Sequence, residues 1–331
     1  VVDVAIVGAP GYAGVELTRL VLGHPDLRLV CATSSSEAGR RIDDVYPVLT
    51  GLTELSYVEP SVEAISEQAT VAFLAVPHTA ALDIAPDLLE AGMTVLDASA
   101  DYRLDDPAEY ESWYGAEHTS PHLLEHAVYG LPEMDRDAIP GARLIACPGC
   151  YPTAAILAAM PALEAGITDA STIVVDAKSG VSGAGRTPDA STHYPTVNES
   201  MAPYKVAVHR HTPEMEQQFS IAASRPVKAI FSPHLVPLTR GLLATVYMDL
   251  AGDVHGQQVH EVYAERYADE PFVSVHPLGR MPTTAGCRGT NRAHLGLTVD
   301  DRTGMLVAVC AIDNLVKGTS GQAIQCANLA L

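Results

Sequence analysis

Basic side chains are scarce in this chain. Lysine occurs only at 178, 205, 228 and 317, and 20 Lys and Arg stand against 40 Asp and Glu, a net charge of -20. A nucleic-acid partner needs clustered cations to neutralise phosphates, so this balance argues against one. Long hydrophobic runs are also missing. None reaches the roughly 18 residues of a membrane-spanning helix, so no membrane partner is expected. Six cysteines in 331 residues are too sparse for a disulfide scaffold. The opening VVDVAIVGAP has no basic region and no small-residue cleavage site, and it reads as a buried strand, not as an export signal. A reducing cytoplasm is the expected compartment.

What the chain does have is apolar material, 47% of its residues, in a length that favours two domains. VDVAIVGA, LRLVCATS, TVAFLAVP and MTVLDASA are near-continuous apolar runs, with helical patterns over Gly14 to Leu22 and Ala80 to Ala91 between them. That alternation predicts a parallel sheet covered on both faces, a Rossmann-type doubly wound α/β fold. After about residue 146 the pattern changes. A helix is expected from about Thr153 to Ala165, then TIVVDAKSG, a Gly/Ser/Pro-rich stretch, the strand-like AIFSPHLVPL, GLLATVYMDL and MLVAVCAI, and a helix over Gly256 to Ala268. Clustered strands with few helices predict an α+β domain with a mixed, largely antiparallel sheet.

GAPGYAG places Gly8, Gly11 and Gly14 between a strand and a helix. Such glycines let a backbone approach a pyrophosphate, and the helix N-terminus favours its charge; a plain tight turn is the rival reading. At the end of the second strand the chain places Thr33, Ser34, Ser35 and Ser36, with Arg40 and Arg41 beyond, and no carboxylate that would repel a 2′-phosphate. Hydroxyls and a guanidinium favour NADP over NAD.

ACPGCYPT places Cys150 three residues before the expected helix, where the helix terminus lowers a thiol's pKa. Cys147 and Cys150 also form a C-x-x-C, open to reading as a redox pair or, with His209 and His211, as a zinc site. VHRHTPEMEQ is the best source of an imidazole base: on an extended segment His209 and His211 share a face, and Glu214 is near enough in sequence to orient one of them. KSGVSGAGR, from Lys178 to Arg186, offers successive backbone N–H groups, hydroxyls and a guanidinium to an anion; a flexible loop is the alternative.

In order, GAPGYAGVEL, LDASADYRL, CPGCYPT, SGVSGAGR, YKVAVHRHTPE, FSPHLVPLTRG, RGTNRAHLG and IDNLVKGTSGQA resemble segments of the N-acetyl-gamma-glutamyl-phosphate reductases, within the wider group that includes the aspartate-semialdehyde dehydrogenases. The resemblance covers essentially the whole chain, and PGCYPT followed by HRHTPE is its distinguishing pair. It implies Cys150 as nucleophile, His209 as catalytic base, and His211 with Glu214 in support. It implies cofactor contacts at Gly8, Gly11, Tyr12, Ala13, Gly14, Ser34, Ser36, Arg40, Pro77, Ser99, Ser182, Asn314 and Gly318. Arg103, Ser179, Gly180, Arg186, Tyr204 and His211 are then expected to face the substrate. An NADP-binding domain over residues 1–147, completed by a helix over 313–331, and a catalytic and oligomerising domain over 148–312 follow, with no metal. The partners implied are a small acyl phosphate and further copies of the chain, as a dimer or tetramer. Aspartyl phosphate, a carrier-bound aminoadipyl phosphate and a non-enzymatic NADP-binding regulator are the rival functions. Cys147 departs from the family, which commonly has Asn there.

Overall fold

The computed structural model describes residues 1–331, which form two compact units. One comprises Val1–Gly149 with Thr319–Leu331, the other Cys150–Gly318.

The first unit holds β1 (Val2–Val7), β2 (Leu27–Thr33), β3 (Val71–Leu74), β4 (Thr94–Asp97), β5 (Ala127–Tyr129) and β6 (Leu144–Ala146). Their order is β2-β1-β3-β4-β6-β5, and every pair is parallel. Alternate residues feed two cores. Val4, Ile6 and Phe73 face one, with Leu17 and Val21 of helix Tyr12–Leu22 and Ala323 and Cys326 of helix Gly321–Ala330. Ala5, Val7, Ala72 and Leu74 face the other, with Leu82, Ala85 and Leu88 of helix Ala80–Glu90. Both faces are covered, which is why these strands read as unbroken apolar runs.

The second unit holds β7 (Thr172–Gly180), β8 (Ala202–Pro203), β9 (Lys228–Val236), β10 (Leu242–Asp249), β11 (Val273–Val275), β12 (Ala293–Asp300) and β13 (Met305–Ile312). The order is β11-β12-β13-β10-β7-β9-β8, parallel at β7–β9 and β11–β12 and antiparallel elsewhere. Helix Cys150–Glu164 is buried along its length, from Tyr151 to Leu163. An all-round apolar helix belongs in a core. Pro161 inside it has no N–H for the carbonyl of Leu157, and the hydroxyl of Tyr267 donates to that carbonyl at 2.8 Å.

The last stretch is not one helix. Asp313 Oδ1 accepts from the N–H groups of Leu315 and Val316 at 2.9 and 3.1 Å, and a π-helical turn, Val316–Ser320, precedes helix Gly321–Ala330. No helix is long and apolar enough to cross a membrane.

Candidate active site

Cys150 is the first residue of its 15-residue helix, not a residue ahead of it. Pro152 lies in the first turn, where a proline costs no hydrogen bond, so the helix starts earlier than the sequence reading placed it. The thiol therefore sits at the positive end of a long buried helix, which favours thiolate. None of the six cysteines is in a disulfide, and Cys150 alone is not fully buried. Behind it stands Gly318, where an added Cβ would lie 2.7 Å from Cβ of Cys150.

Two tyrosines, Tyr151 and Tyr204, feel the charge of Cys150. Tyr204 donates from its hydroxyl to that of Tyr151 at 3.2 Å, and Tyr151 donates to the carbonyl of His234 at 3.1 Å. Burial, together with the charge of nearby Cys150, pushes the Tyr204 hydroxyl up to about 12. Both rings pack edge-on against His209, with centroids 5.8 Å away for Tyr151 and 5.5 Å for Tyr204. Tyr151, Tyr204 and His209 thus form one cluster, with Cys150 next to Tyr151 in the chain.

The histidine segment is not extended. Arg210 is helical in its backbone and His211 opens helix His211–Ala223, with Pro213 in its first turn. The rings of His209 and His211 meet nonetheless, 4.7 Å between centroids. Glu214 is buried in the same first turn. Burial first, then Lys205 and Arg210, lowers His209 to about 4. A pocket of about 630 Å³ opens beside it, lined by Gly183, Ala184, Tyr204, Lys205, His209 and Arg210 among others. The sequence reading missed Lys205 and Arg210 as pocket cations; their position on either side of His209 in a Lys-poor chain was the available signal. Arg186, expected there, is exposed in its loop.

Ser179 is buried at the end of β7, and its hydroxyl donates to the carbonyl of Gly180 at 3.1 Å. At Gly180 an added Cβ would lie 2.8 Å from the carbonyl oxygen of Leu238, so glycine permits close packing there. Asn314 is engaged at both ends of its amide: Nδ2 donates to Ser182 Oγ at 2.9 Å, and Oδ1 accepts from Gly241 N at 2.8 Å. This holds the loop at Ser182 to the sheet. Gly318 likewise packs on Cys150.

In the first unit, Gly8 has φ +79, and a Cβ there would lie 2.5 Å from the carbonyl oxygen of Ala75. At Gly14 it would lie 2.5 Å from the carbonyl oxygens of Gly8 and Ala9. Gly11 is the N-cap of helix Tyr12–Leu22, Tyr12 is partly exposed, and the carbonyl of Ala13 accepts from Ser320 Oγ at 2.8 Å. The turn is one that only glycine fills, and it leaves backbone N–H groups at a helix start, as a dinucleotide pyrophosphate needs.

The loop after β2 corrects one expectation. Ser34 Oγ accepts from the N–H groups of Ser36 and Glu37 at 3.2 and 3.0 Å, and Glu37 holds Arg40 in an ion pair at 2.5 Å. A carboxylate is therefore present, one residue past the serine run, and it partly neutralises the guanidinium expected to meet a 2′-phosphate.

Ser99 and Arg103 also serve the fold. Ser99 donates from N and Oγ to the two oxygens of Asp97, each at 2.8 Å. Burial, reinforced by Asp101, pushes Asp97 up to about 7. Arg103, buried, donates to the carbonyls of Cys147 at 2.8 Å and Ala98 at 3.1 Å. Pro77 accepts from Ala80 N at 3.3 Å where helix Ala80–Glu90 begins. Cys147 is turned against Cys326, and that contact with burial raises its thiol well above the ordinary range. No group of three or more His, Cys, Asp or Glu side chains could hold a metal ion, so the zinc reading of C-x-x-C with H-x-H is not formed.

The two units correspond to two family models. Residues 3–142 match the semialdehyde dehydrogenase NAD binding domain, and residues 150–314 match the semialdehyde dehydrogenase dimerisation domain. The fold agrees: aspartate semialdehyde dehydrogenase II from Vibrio cholerae superposes with a TM-score of 0.75 at 18% identity, covering 99% of this chain and 98% of that one. An aspartate semialdehyde dehydrogenase with NADP from Candida albicans gives 0.73 at 15% identity, covering 99% and 98%. Fold and site thus define an oxidoreductase of the semialdehyde dehydrogenase class. Sequence similarity narrows the class. The N-acetyl-gamma-glutamyl-phosphate reductase of Pelotomaculum thermopropionicum is 48% identical over 328 residues, 99% of this chain and 94% of that protein. That of Geobacter metallireducens is 48% identical over 330 residues, again 99% and 94%. The chain belongs to the N-acetyl-gamma-glutamyl-phosphate reductase family.

Proposed function

We propose that the chain reduces N-acetyl-gamma-glutamyl phosphate to N-acetylglutamate 5-semialdehyde and phosphate, with NADPH, in arginine biosynthesis. The observation that supports the chemistry is Cys150 at the N-terminus of a long buried helix, next in the chain to Tyr151, which packs with Tyr204 and His209. Gly8, Gly11 and Gly14 hold the pyrophosphate, and Ser34, Ser36 and Arg40 lie toward the 2′-phosphate. When bound, the reduced nicotinamide supplies the hydride.

Cys150 attacks the acyl carbonyl as thiolate. The carbon–oxygen bond to phosphate breaks and a thioester forms, which splits one hard reduction into two easier steps. Lys205 and Arg210 supply positive potential to an anionic substrate in the pocket. Tyr204 lines it, and His209 serves the oxygen of the reacting carbonyl. Ser179 and Gly180 at the end of β7, and Arg186 in the loop that follows, lie beside the substrate, with His211 and Glu214 supporting the imidazole. The chain works as a homodimer or a tetramer built from dimers, in a reducing cytoplasm. Val174 and Ile230, register partners on β7 and β9, remain exposed and suit such an interface.

The test is phosphate-dependent reduction of NADP by N-acetylglutamate semialdehyde, run beside aspartate semialdehyde. Activity confined to the acetylated aldehyde, abolished in Cys150→Ser, is expected. Turnover of Cys150→Ser at the wild-type rate would remove the thioester, and activity confined to aspartate semialdehyde would move the substrate.

A further inference from the structure

The glycine turn after β1 is held by two hydroxyls from distant parts of the chain. Within the turn, Gly11 N donates to the carbonyl of Gly8 at 3.1 Å. The first bond of helix Tyr12–Leu22 runs from Val15 N to the carbonyl of Gly11 at 2.8 Å. The N–H groups of Tyr12 and Ala13 lie ahead of it, where a helix has no bond of its own for them, and they suit an anion. The carbonyls of the turn are tied from outside. That of Pro10 accepts from the hydroxyl of Tyr46 at 2.6 Å, and that of Ala13 accepts from Ser320 Oγ at 2.8 Å.

The tie from Tyr46 matters for the segment it comes from. After β2 the chain makes an excursion and returns to the sheet, where Ser34 N donates to the carbonyl of Val58 at 2.9 Å and Val58 N to that of Ala32 at 3.0 Å. The outgoing and returning arms are paired: Gly39 N with the carbonyl of Tyr57 at 2.8 Å, Tyr57 N with that of Arg40 at 2.9 Å, and Ile42 N with that of Leu55 at 2.9 Å. Ile42, Leu49 and Tyr57 anchor the excursion in the core, and the ring of Tyr46 packs against the same core. The Arg41 guanidinium is turned to Asp43, with two bonds of 2.9 Å, so Arg40 is the cation left to the serine loop. Only Arg41 and the helical turn Ile42–Val45 separate Arg40 from Tyr46. The sheet joins the serine loop and the glycine turn at their roots, through Ala9 N and the carbonyl of Thr33 at 3.1 Å. Tyr46 joins them again beyond the sheet.

We propose that Tyr46 is a positioning residue for NADP, whose bond to Pro10 fixes the spacing between the turn that takes the pyrophosphate and the loop that takes the 2′-phosphate, so that the two groups bind cooperatively. This rests on the placement of the cofactor at Gly8, Gly11 and Gly14 and at Ser34, Ser36 and Arg40. Both phosphate groups sit on one ribose, so their separation is nearly constant. Two sites already held at that separation need little further ordering when the second group engages.

Tyr46→Phe keeps the ring and removes the bond. Calorimetric titration with NADPH, NADH and 2′-AMP separates the two groups: NADPH carries both, NADH lacks the 2′-phosphate and 2′-AMP lacks the pyrophosphate. NADPH should bind about 2- to 10-fold more weakly to Tyr46→Phe, the worth of one hydrogen bond. NADH should lose less, and 2′-AMP should stay within about twofold of wild type, so the preference for NADPH over NADH narrows. Ser320→Ala cuts a tie to the same turn that does not come from the serine loop, and it should weaken NADPH and NADH alike. A Tyr46→Phe protein that also loses both alike, or loses neither, overturns the proposal, as does a loss for 2′-AMP equal to that for NADPH. Hydrogen exchange of the nucleotide-free protein reads the tie directly. The peptide over residues 8–14 should exchange faster in Tyr46→Phe while peptides from β3 and β4 keep the wild-type rate; unchanged exchange over 8–14 counts against the tie. In wild type, NADPH should protect that same peptide. Protection elsewhere alone would overturn the cofactor placement and the proposal with it. Protection there, with Tyr46→Phe binding all three nucleotides as wild type does, would remove the tie and leave the placement standing.

Discussion

Replacing Gly318 with alanine is the most direct test of how the nucleophile is placed. The new Cβ would lie 2.7 Å from Cβ of Cys150, 3.2 Å from its Cα and 3.3 Å from Cδ1 of Ile312. Carbon atoms rest about 3.5–4.0 Å apart, so the two Cβ atoms must separate by about 1 Å. Neither is the end of a flexible side chain. Gly318 lies in the π-helical turn Val316–Ser320, fixed by its N–H to the carbonyl of Asp313 at 3.0 Å, and Cys150 opens a buried helix. Overpacking of this kind costs about 1–3 kcal/mol of stability. A displacement of about 1 Å at a reacting atom costs about 100-fold in rate. Gly318→Ala should therefore fold, melt several degrees lower, bind NADPH as wild type does, and lose about 100-fold in kcat for phosphate-dependent aldehyde oxidation. If kcat stays within about twofold of wild type in folded protein, the sulfur is not placed by this contact and the reasoning fails. Loss of NADPH affinity with kcat intact would instead mark Gly318 as a cofactor contact.

Two further outcomes follow from the first unit. Asp97 is raised to about 7, chiefly by burial and then by Asp101, against an ordinary 3.8. A carboxyl raised on folding contributes stability that is complete below its unfolded pKa and lost as pH rises through the folded one, here from about 4 to about 7. Asp97→Asn should flatten that decline and unfold at a higher temperature than wild type at pH 8; parallel melting curves across the range would refute the assignment. Separately, Glu37→Gln removes the carboxylate that pairs with Arg40. An exposed pair of this kind is worth at most about 1 kcal/mol, so NADPH affinity should rise by up to about fivefold with NADH affinity unchanged. An equal rise for both nucleotides would mean that Arg40 does not meet the 2′-phosphate.

The first sheet was legible because β1 to β4 are buried on both faces and read as continuous apolar runs. β5 and β6 were not, since three residues show no period and the chain reaches them through a long excursion after β4. In β12, Gly296 and Thr298 interrupt an apolar strand, and it went unread. Both helices of the site begin earlier than, or elsewhere from, where the sequence suggested, for one reason. Each carries proline at its third residue, Pro152 after Cys150 and Pro213 after His211. In a first turn the missing N–H of proline has no intrahelical partner to lose, so neither proline bars its helix. Cys147 is the reverse case. Its spacing from Cys150 suggested a local pair, while packing joins it to Cys326, a long-range contact that no local pattern encodes.

The charge of the chain poses a problem that only the structure resolves. A net charge of -20 repels an anionic substrate, but at physiological ionic strength charges act over about 8 Å, so the pocket feels its own neighbours. Of the four lysines, Lys178 pairs with Asp176, Lys228 with Glu216, and Lys317 is buried with its ammonium 5.9 Å from the ring centroid of Phe272. Lys205 lines the pocket instead, with a backbone at φ 46 that a non-glycine residue seldom adopts. Strain of that kind persists only where the surroundings impose it, and here the N–H groups of Tyr204 and Ala207 are bonded to the carbonyls of Pro233 and Phe231 on β9, each at 3.1 Å. The same two cations that draw an anion into the pocket also oppose a proton on His209.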